Sequence, residues 1–405
     1  MTGLTAERAA RRPCPQCDST AVQTVHEGRY VLPDGHPLDA VVRVVACEHC
    51  GFCFNDTPST RADFDRYYRD VSKYADPRLS SGAGCSPEDT ARLKATAEAI
   101  GAIAEARDAR ILDIGCGAGG LLDSLAALGF HDLTGMDPAV ACAEEVGRRG
   151  HCGVVGTLDD HRFADASFDG IILSHVLEHV RDLAEALTNV ARLLRPAGWL
   201  YVEVPDAARY SECLIAPFQD FNLEHINHFS ATTLRNALHS HGWSVVSAGY
   251  KTLPLPHGRS YPAVYAFARV GKAGTVEGDH SLRDALSHYV AKSNDMLARI
   301  DQMLQEQVGA EPVLVWGVGQ LTMRLLGETC LGRARIAAFI DSNPVHQGRT
   351  LAGKPVISPD SLANGTMDNA SIIIGSLVNG ESIEASIRER GLAQRVIRLD
   401  PKENQ

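Results

Sequence analysis

At 405 residues, 44% hydrophobic and 22% charged, the chain has the composition of a globular protein with room for two or three domains. A formal net charge of −11 argues against a nonspecific nucleic-acid surface. No apolar run approaches the roughly 20 residues of a membrane span and the N-terminus carries no apolar signal core, so a cytoplasmic protein without a membrane partner is expected. Eleven cysteines, an odd number, point to metal ligation by a subset and not to a disulfide framework.

That subset opens the chain. Cys14-Pro15-Gln16-Cys17 and Cys47-Glu48-His49-Cys50 are two C-x-x-C knuckles separated by a strand-rich stretch, 23–45. The spacing suits a tetrahedral four-thiolate Zn2+ site with Cys14, Cys17, Cys47 and Cys50 as ligands, closed to water and therefore structural. Cys53 and His49 read as a packed thiol and a solvated imidazole. Zinc ribbons also bind nucleic acid, and Arg8, Arg11 and Arg12 lie nearby, but the interleaved aromatics such a surface needs are missing. From 60 to 106 the pattern turns helical, with Phe64, Tyr67 and Tyr68 as an apolar stripe and a second helix over 92–104.

The centre of the chain is the run 110–122, RILDIGCGAGGLL, which reads as strand, glycine turn and helix. Gly115, Gly117 and Gly119 allow positive φ and close approach of a ligand, and free N–H groups at the helix start are expected to face it. A second strand over 132–137 ends in Asp137, where the acidic partner of a ribose diol sits in dinucleotide-type folds. A third strand leads into Thr157 and Leu158, a fourth over 168–174 runs into His175-Val176-Leu177-Glu178-His179, and a fifth spans 199–204. The spacing G-x-G-x-G, with Asp113 ahead of it in the strand, disfavours a pyrophosphate and suits a ligand bearing an amino group.

The order of these segments resembles the class I S-adenosylmethionine-dependent methyltransferases. D-x-G-x-G-x-G at 113–119 is similar to their first motif, Gly135-Met136-Asp137 to their second, and FDGIILSHVLEHV and LLRPAGWLYVEVP to later ones. The resemblance implies a Rossmann-like seven-stranded α/β sheet that binds S-adenosyl-L-methionine. Asp113, Gly115 and Gly117 are then expected at the methionyl end, Asp137 on the ribose, Leu158 on the adenine face and His175 near the transferred methyl.

Downstream of the fifth strand, 218–230 packs Glu224, His225 and His228 into five residues beside the edge where a methyl acceptor must lie. The sulfonium leaving group departs neutral, so the chemistry falls on removing a proton from the acceptor, work suited to histidine assisted by a carboxylate. Glu224 and His225 are the expected catalytic pair, with His225 as base. Together, the knuckles, the central motifs, the EHINHFS segment and the tail resemble the zinc-binding C-methyltransferases of nucleotide-linked keto-deoxysugars. In that family a Y-x-E-H segment enolises the ketone, and an SKY segment approaches the cofactor. Ser72-Lys73-Tyr74 matches the latter, which adds Tyr74 to the cofactor site, but Asn222 stands where the family has tyrosine.

Strands over 243–247 and 263–268 complete the sheet, and His257 and Tyr261 in the link between them read first as surface loop residues and second as lining of the substrate mouth. A long amphipathic helix over 281–308 suits packing or a dimer contact without fixing an oligomeric state. The tail repeats the strand-to-glycine device at 313–320 and reads as a second, Rossmann-like unit. In the resembled family it holds a nucleotide-linked substrate, although Leu321, Met323 and Arg324 replace the small residues found there. The expected domains are thus 1–60 (zinc), 61–105 (helical lid), 106–270 (methyltransferase) and 271–405 (Rossmann-like). The expected function is small-molecule methylation in natural-product biosynthesis. Keto-sugar C-methylation leads, O- or N-methylation of another polar metabolite follows, and nucleic-acid methylation trails.

Overall fold

The computed structural model describes residues 10–72, 83–104, 106–158, 160, 162–255, 258–364, 367 and 369–399. Tyr74, Arg8 and His257 lie outside the described residues. The chain divides into two compact units: residues 1–24, 44–213 and 224–286 form one, and 25–43, 214–223 and 287–405 the other. The two knuckles therefore share a unit with the central sheet.

The chain starts with β1 (Val22–Arg29), β2 (Val41–Cys47) and β3 (Cys53–Asn55). Helix α1 (Arg61–Asp70) is opened by a capping box between Thr60 and Asp63, and α2 (Pro87–Gly101) by the Ser86 side chain, with proline at its start. The nucleotide-fold elements follow as β4 (Arg110–Ile114), α3 (Gly120–Ala127), β5 (Asp132–Asp137), α4 (Val140–Arg148), β6 (Cys152–Val155), β7 (Phe168–Ser174), α5 (Leu183–Leu193) and β8 (Leu194–Pro205). Then come β9 (Asn227–His228), α6 (Ala231–Ser240), β10 (Trp243–Leu255) and β11 (Arg259–Val270).

Seven strands form one sheet in the order β10-β11-β8-β7-β4-β5-β6. The pairs from β8 through β6 are parallel, while β11 joins β8, and β10 joins β11, antiparallel. This is the expected Rossmann-like methyltransferase sheet. Its inner strands are covered on both faces, which is why they read as continuous apolar runs and not as alternation. Leu112, Ile114, Ile171 and Leu173 pack to one face, with Cys14, Phe52, Phe54 and Phe229 in the same cluster, so the cysteine-bearing segment shares the sheet's core. Ile111, Leu133, Ile172 and Tyr201 pack to the other. Each such buried side chain contributes on the order of 1.5–3 kcal/mol. The strand order reverses between β4 and β7, and the carboxyl ends there form the crevice where ligands gather in open α/β sheets.

Several boundaries differ from the expectation. α2 runs over Pro87–Gly101 where 92–104 was expected. β8 begins at Leu194, directly out of α5, where a helix end and turn were expected; Ala197, at φ 66°, absorbs the bend within the strand. β10 and β11 run to Leu255 and from Arg259, well into the proline-containing link, because β10 is an edge strand where proline loses no ladder bond. Arg12, one of the basic residues weighed for a nucleic-acid surface, is 5% exposed. Its guanidinium donates to the carbonyls of Asn55, Arg181 and Ile226 and is not available to phosphate.

The second unit carries most of α7 (Ser281–Gln307), then β12 (Val313–Trp316), α8 (Gln320–Glu328), β13 (Ile336–Ile340), β14 (Thr350–Leu351), β15 (Lys354–Ile357), β16 (Ser371–Ile374), α9 (Gly380–Glu389) and β17 (Val396–Arg398). Its six strands are ordered β14-β15-β13-β12-β16-β17 around a parallel centre. Arg324, which stands where the resembled family has small residues, points inward at 1% exposure. It donates to Tyr30 Oη at 2.8 Å and the Phe221 carbonyl at 2.6 Å and stacks on Tyr30 and Phe218, fastening the segments 25–43 and 214–223 to α8. Among the described residues, no helix is long and apolar enough to cross a membrane.

Gly170 pairs with Trp199 across β7 and β8, and a Cβ there would lie 2.1 Å from the indole. Gly170→Ala is expected to cost about 1–3 kcal/mol by overpacking, read as a lowered denaturation midpoint at unchanged m-value.

Candidate functional site

The glycine turn between β4 and α3 holds Gly115, Gly117 and Gly119 at φ 72°, 53° and 84°, a region closed to side chains without strain. A Cβ on Gly115 would also sit 2.8 Å from Val176 Cγ2. The donors of the turn itself, ahead of the helix start, are already engaged. Gly115 N–H donates to the Met136 carbonyl, Gly117 N–H to Asp137 Oδ2 at 3.0 Å, and Gly119 N–H to the Cys116 carbonyl. The fold uses these groups to lock β4, β5 and the turn together, and what the glycines offer a ligand is room. Asp137 is fixed twice, its Oδ1 accepting from Ala139 N–H at 2.9 Å, and each oxygen keeps a lone pair for a further donor.

Asp113 and Asp137 are buried side by side at 3% and 7% exposure. Desolvation, with the Asp137 charge adding to it, pushes the Asp113 carboxyl up to about 8; burial also raises Asp137, against the pull of its two backbone donors. Such a pair is ready for a cationic partner.

Across the crevice a chain of buried charges runs over the carboxyl ends of β7 and β8. Glu203 (β8) accepts from Tyr201 Oη at 2.5 Å and Lys251 Nζ (β10) at 2.6 Å, and its other oxygen lies 3.2 Å from His175 Nε2. His175 Nδ1 is 3.3 Å from Glu178 Oε1. Burial disfavours a charged His175 ring, but the two carboxylates outweigh it and lift the imidazole to about 9; burial opposes the Glu203 charge too, and His175 and Lys251 overcome it and hold that carboxyl below its usual range. His175 adopts φ 58°, a left-handed backbone stabilised by its N–H donating to the Glu203 carbonyl at 2.7 Å.

Next on the rim, the short helical turn Leu177–His179 meets the segment 224–227. His179 Nδ1 donates to the Glu224 carbonyl at 3.0 Å, and the His179 and His225 rings lie edge to face, 5.0 Å apart. Glu224, 9% exposed, accepts from the phenol of Tyr67 on α1 at 2.6 Å. That phenol comes from 157 residues away in the chain, and the Asn222 side chain donates to the Gln219 carbonyl.

A cavity of 430 Å³, within the range of small-molecule sites, joins these features. Asp113, Gly115, Gly117, Asp137, Leu158, His175 and His225 all line it. Glu224 is absent from the lining and sits behind His225, with its carboxylate on Tyr67. Tyr74 lies outside the described residues. Arg92, Tyr68, Glu178, His179 and Tyr261 also line the cavity; the sequence placed Tyr68 in an apolar stripe and gave Tyr261 a place at the substrate mouth only as its second reading, and it assigned no site role to Arg92, Glu178 or His179. The LEH triplet of Leu177–His179 was the one available signal, since it puts a carboxylate and an imidazole beside a strand's carboxyl end.

Elsewhere in this unit Cys14 and Cys50 approach to 3.6 Å, as do Cys17 and Cys47, with all four sulfurs within 4.8 Å of one another. Zinc–sulfur bonds of about 2.3 Å in a tetrahedron require sulfur separations near 3.8 Å, so the four thiols fit the ion. None of the four is in a disulfide. Cys53 is buried against the Gly51 carbonyl, a packed thiol as expected.

Comparison with known proteins bears on this arrangement. Residues 88–248 match a family described as methyltransferase domain, and residues 309–397 one described as C2185-like, N-terminal. The chain is 28% identical over 217 residues to O-methyltransferase cnsE of Penicillium expansum, covering 48% of this chain and 72% of that protein. It is 40% identical over 100 residues to a ubiquinone biosynthesis O-methyltransferase of Methylocella silvestris, covering 23% of this chain and 38% of that enzyme, well under half its length. A solved S-adenosylmethionine-dependent methyltransferase from Methanosarcina mazei aligns with 41% of this chain and 94% of its own at 22% identity and a TM-score of 0.34. Residues 88–248 thus carry a methyltransferase domain, on the Rossmann-like seven-stranded sheet described above.

Because folded Asp113 keeps its proton up to about 8 while an unfolded aspartate ionises near 4, the native state holds an extra proton in that interval. Its contribution to stability therefore falls as pH rises from about 4 to about 8. Asp113→Asn removes this slope, and the ligand-free variant is expected to melt above the parent at pH 9 and to converge with it toward pH 4. Thermal melts across pH check this.

Proposed function

We propose that the protein transfers the methyl group of S-adenosylmethionine to a small polar acceptor that loses its proton at the imidazole face of His179 and His225. The observation that supports this best is that one cavity joins a buried carboxylate pair at a glycine turn to those imidazoles. S-adenosylmethionine brings a sulfonium and an ammonium, which suit the Asp113 and Asp137 carboxyls, and an adenosine, which suits an apolar wall. In this reading Asp113 and the turn of Gly115 and Gly117 hold the methionyl end, Asp137 the ribose hydroxyls and Leu158 the adenine, with Tyr74 approaching from the preceding segment. His175, neutralised by Glu178 and Glu203, stands near the sulfonium without adding net positive charge. When bound, the cofactor supplies an electrophilic methyl whose sulfur leaves neutral, so this chain's residues have only to orient the acceptor, exclude water and remove a proton.

The acceptor is read at two levels. C-methylation of a nucleotide-linked keto-deoxysugar is supported by the Glu224–His225 segment and by a Rossmann-like tail suited to a nucleotide, and Tyr67 on Glu224 offers a phenol in place of the family tyrosine. O-methylation is favoured by the names of the curated relatives, cnsE and the ubiquinone enzyme among them. Incubating candidate keto-sugars in deuterated solvent without the methyl donor separates the two, since only a carbon acceptor exchanges its proton through an enolate. The four thiols are proposed to hold structural Zn2+.

His225→Ala is expected to reduce turnover at least about 100-fold while calorimetric S-adenosylmethionine affinity stays within about twofold. Loss of both together would assign His225 to the framework. Metal analysis is expected to find one zinc per four-thiolate site, and stripping it with a strong chelator to lower the melting temperature, because the metal joins segments of one core.

A further inference from the structure

Glu178, His179 and His225 bring one carboxylate and two imidazoles together on the acceptor side of the cavity, their donor atoms within 4.8 Å of one another. We propose that these three residues bind a divalent first-row transition cation whose open positions take an oxygen of the acceptor. The inference rests on the methyl-transfer reading and deepens it: His225 then acts as a ligand, and the acceptor's proton is made acidic by the cation.

Four features beyond proximity support the site. His179 donates through Nδ1 to a backbone carbonyl, an acceptor only, so its proton is on Nδ1 and Nε2 presents a lone pair 3.9 Å from Glu178 Oε1. Metal-binding histidines are commonly oriented by such an outer hydrogen bond. Second, Glu178 is 1% exposed; its Oε1 lies 3.3 Å from His175 Nδ1 and 3.9 Å from His179 Nε2, and its Oε2 is buried with no hydrogen-bond partner among the described residues, so the carboxylate as a whole is short of counter-groups. Third, the ligand-bearing segments are already fastened. Ile226 N–H donates to the Glu178 carbonyl at 2.8 Å, and the Asn227 amide donates to the carbonyls of Leu177 and Val180. Fourth, all three residues line the cavity that contains the glycine turn, so a bound ion would face the methyl donor across it.

The donor set selects the ion. Two neutral imidazoles and one carboxylate suit Mn2+, Fe2+, Co2+ or Zn2+, whereas Mg2+ and Ca2+ prefer all-oxygen shells. With bonds near 2.1 Å, adjacent donors stand about 3 Å apart, so closure needs side-chain movements on the order of 1 Å. Three protein ligands leave positions open: an acceptor hydroxyl or ketone oxygen bound at one would have its own or its neighbouring proton acidified, and a hydroxide bound at another would take that proton and leave as water.

The test is Mn2+ binding to the full-length protein, followed by electron paramagnetic resonance. Mn2+ is chosen because it competes poorly for the four thiolates. The expected result is one Mn2+ per chain with nitrogen hyperfine coupling from imidazole, and at least a tenfold loss of affinity in Glu178→Gln and, separately, in His225→Gln. Far-ultraviolet circular dichroism and a cooperative thermal melt report that each variant is folded, and if one fails them the other decides. A parent protein that binds S-adenosylmethionine but no Mn2+, a bound Mn2+ without nitrogen coupling, or affinity unchanged in both variants overturns the cation site and leaves the methyl-transfer reading standing. A parent that takes up Mn2+ but no S-adenosylmethionine overturns that reading, and the acceptor role of the ion with it.

Discussion

The site depends on one buried carboxylate. Glu203 is fully enclosed at the carboxyl end of β8, and a charge in that position survives only because Lys251, Tyr201 and His175 surround it. Removing one partner of a buried pair of this kind costs about 3–5 kcal/mol, since the remaining charge is left without water. Through these contacts β8, the edge strand β10 and the left-handed residue after β7 are held in one register. Glu178, and beyond it the His179–His225 face, hang from the far end of the same chain of charges.

The rim is divided between two kinds of unfavourable burial. On the donor side two carboxylates are packed together at the glycine turn, and Asp113 is held protonated at neutral pH for want of a counter-charge. On the acceptor side charges of both signs are balanced almost within reach of one another. In the proposed reading a sulfonium donor carrying an ammonium group suits the first half. In the second, Glu178 and Glu203 offset the His175 charge, so these side chains place no net positive charge beside such a donor.

The same strand, glycine turn and helix occurs in the second unit, with a different outcome. Gly317 takes φ 103°, and Asp341 at the end of β13 accepts from Val318 N–H, the counterpart of Asp137 and Gly117. Its helix, however, directs Arg324 inward to fasten Tyr30 and Phe221, so a residue that looks from sequence like a departure from a ligand-binding pattern is a packing element. A local motif fixes the backbone of such a corner and leaves its use to the surroundings.

What the sequence determined by itself is what depends on neighbouring residues: the positive-φ glycines, the acid at the end of β5, the doubly covered apolar strands and the paired knuckles. These follow from backbone sterics, side-chain period and fixed ligand spacing. Tertiary structure alone decided that the turn's N–H groups are consumed by Met136 and Asp137, that Lys251 reaches Glu203, that Tyr67 meets Glu224 and that His179 turns its Nε2 toward Glu178. Each of those is a pairing of polar groups distant in the chain, chosen because a buried donor or acceptor must find a partner wherever the packed fold supplies one, and no local pattern records where that will be.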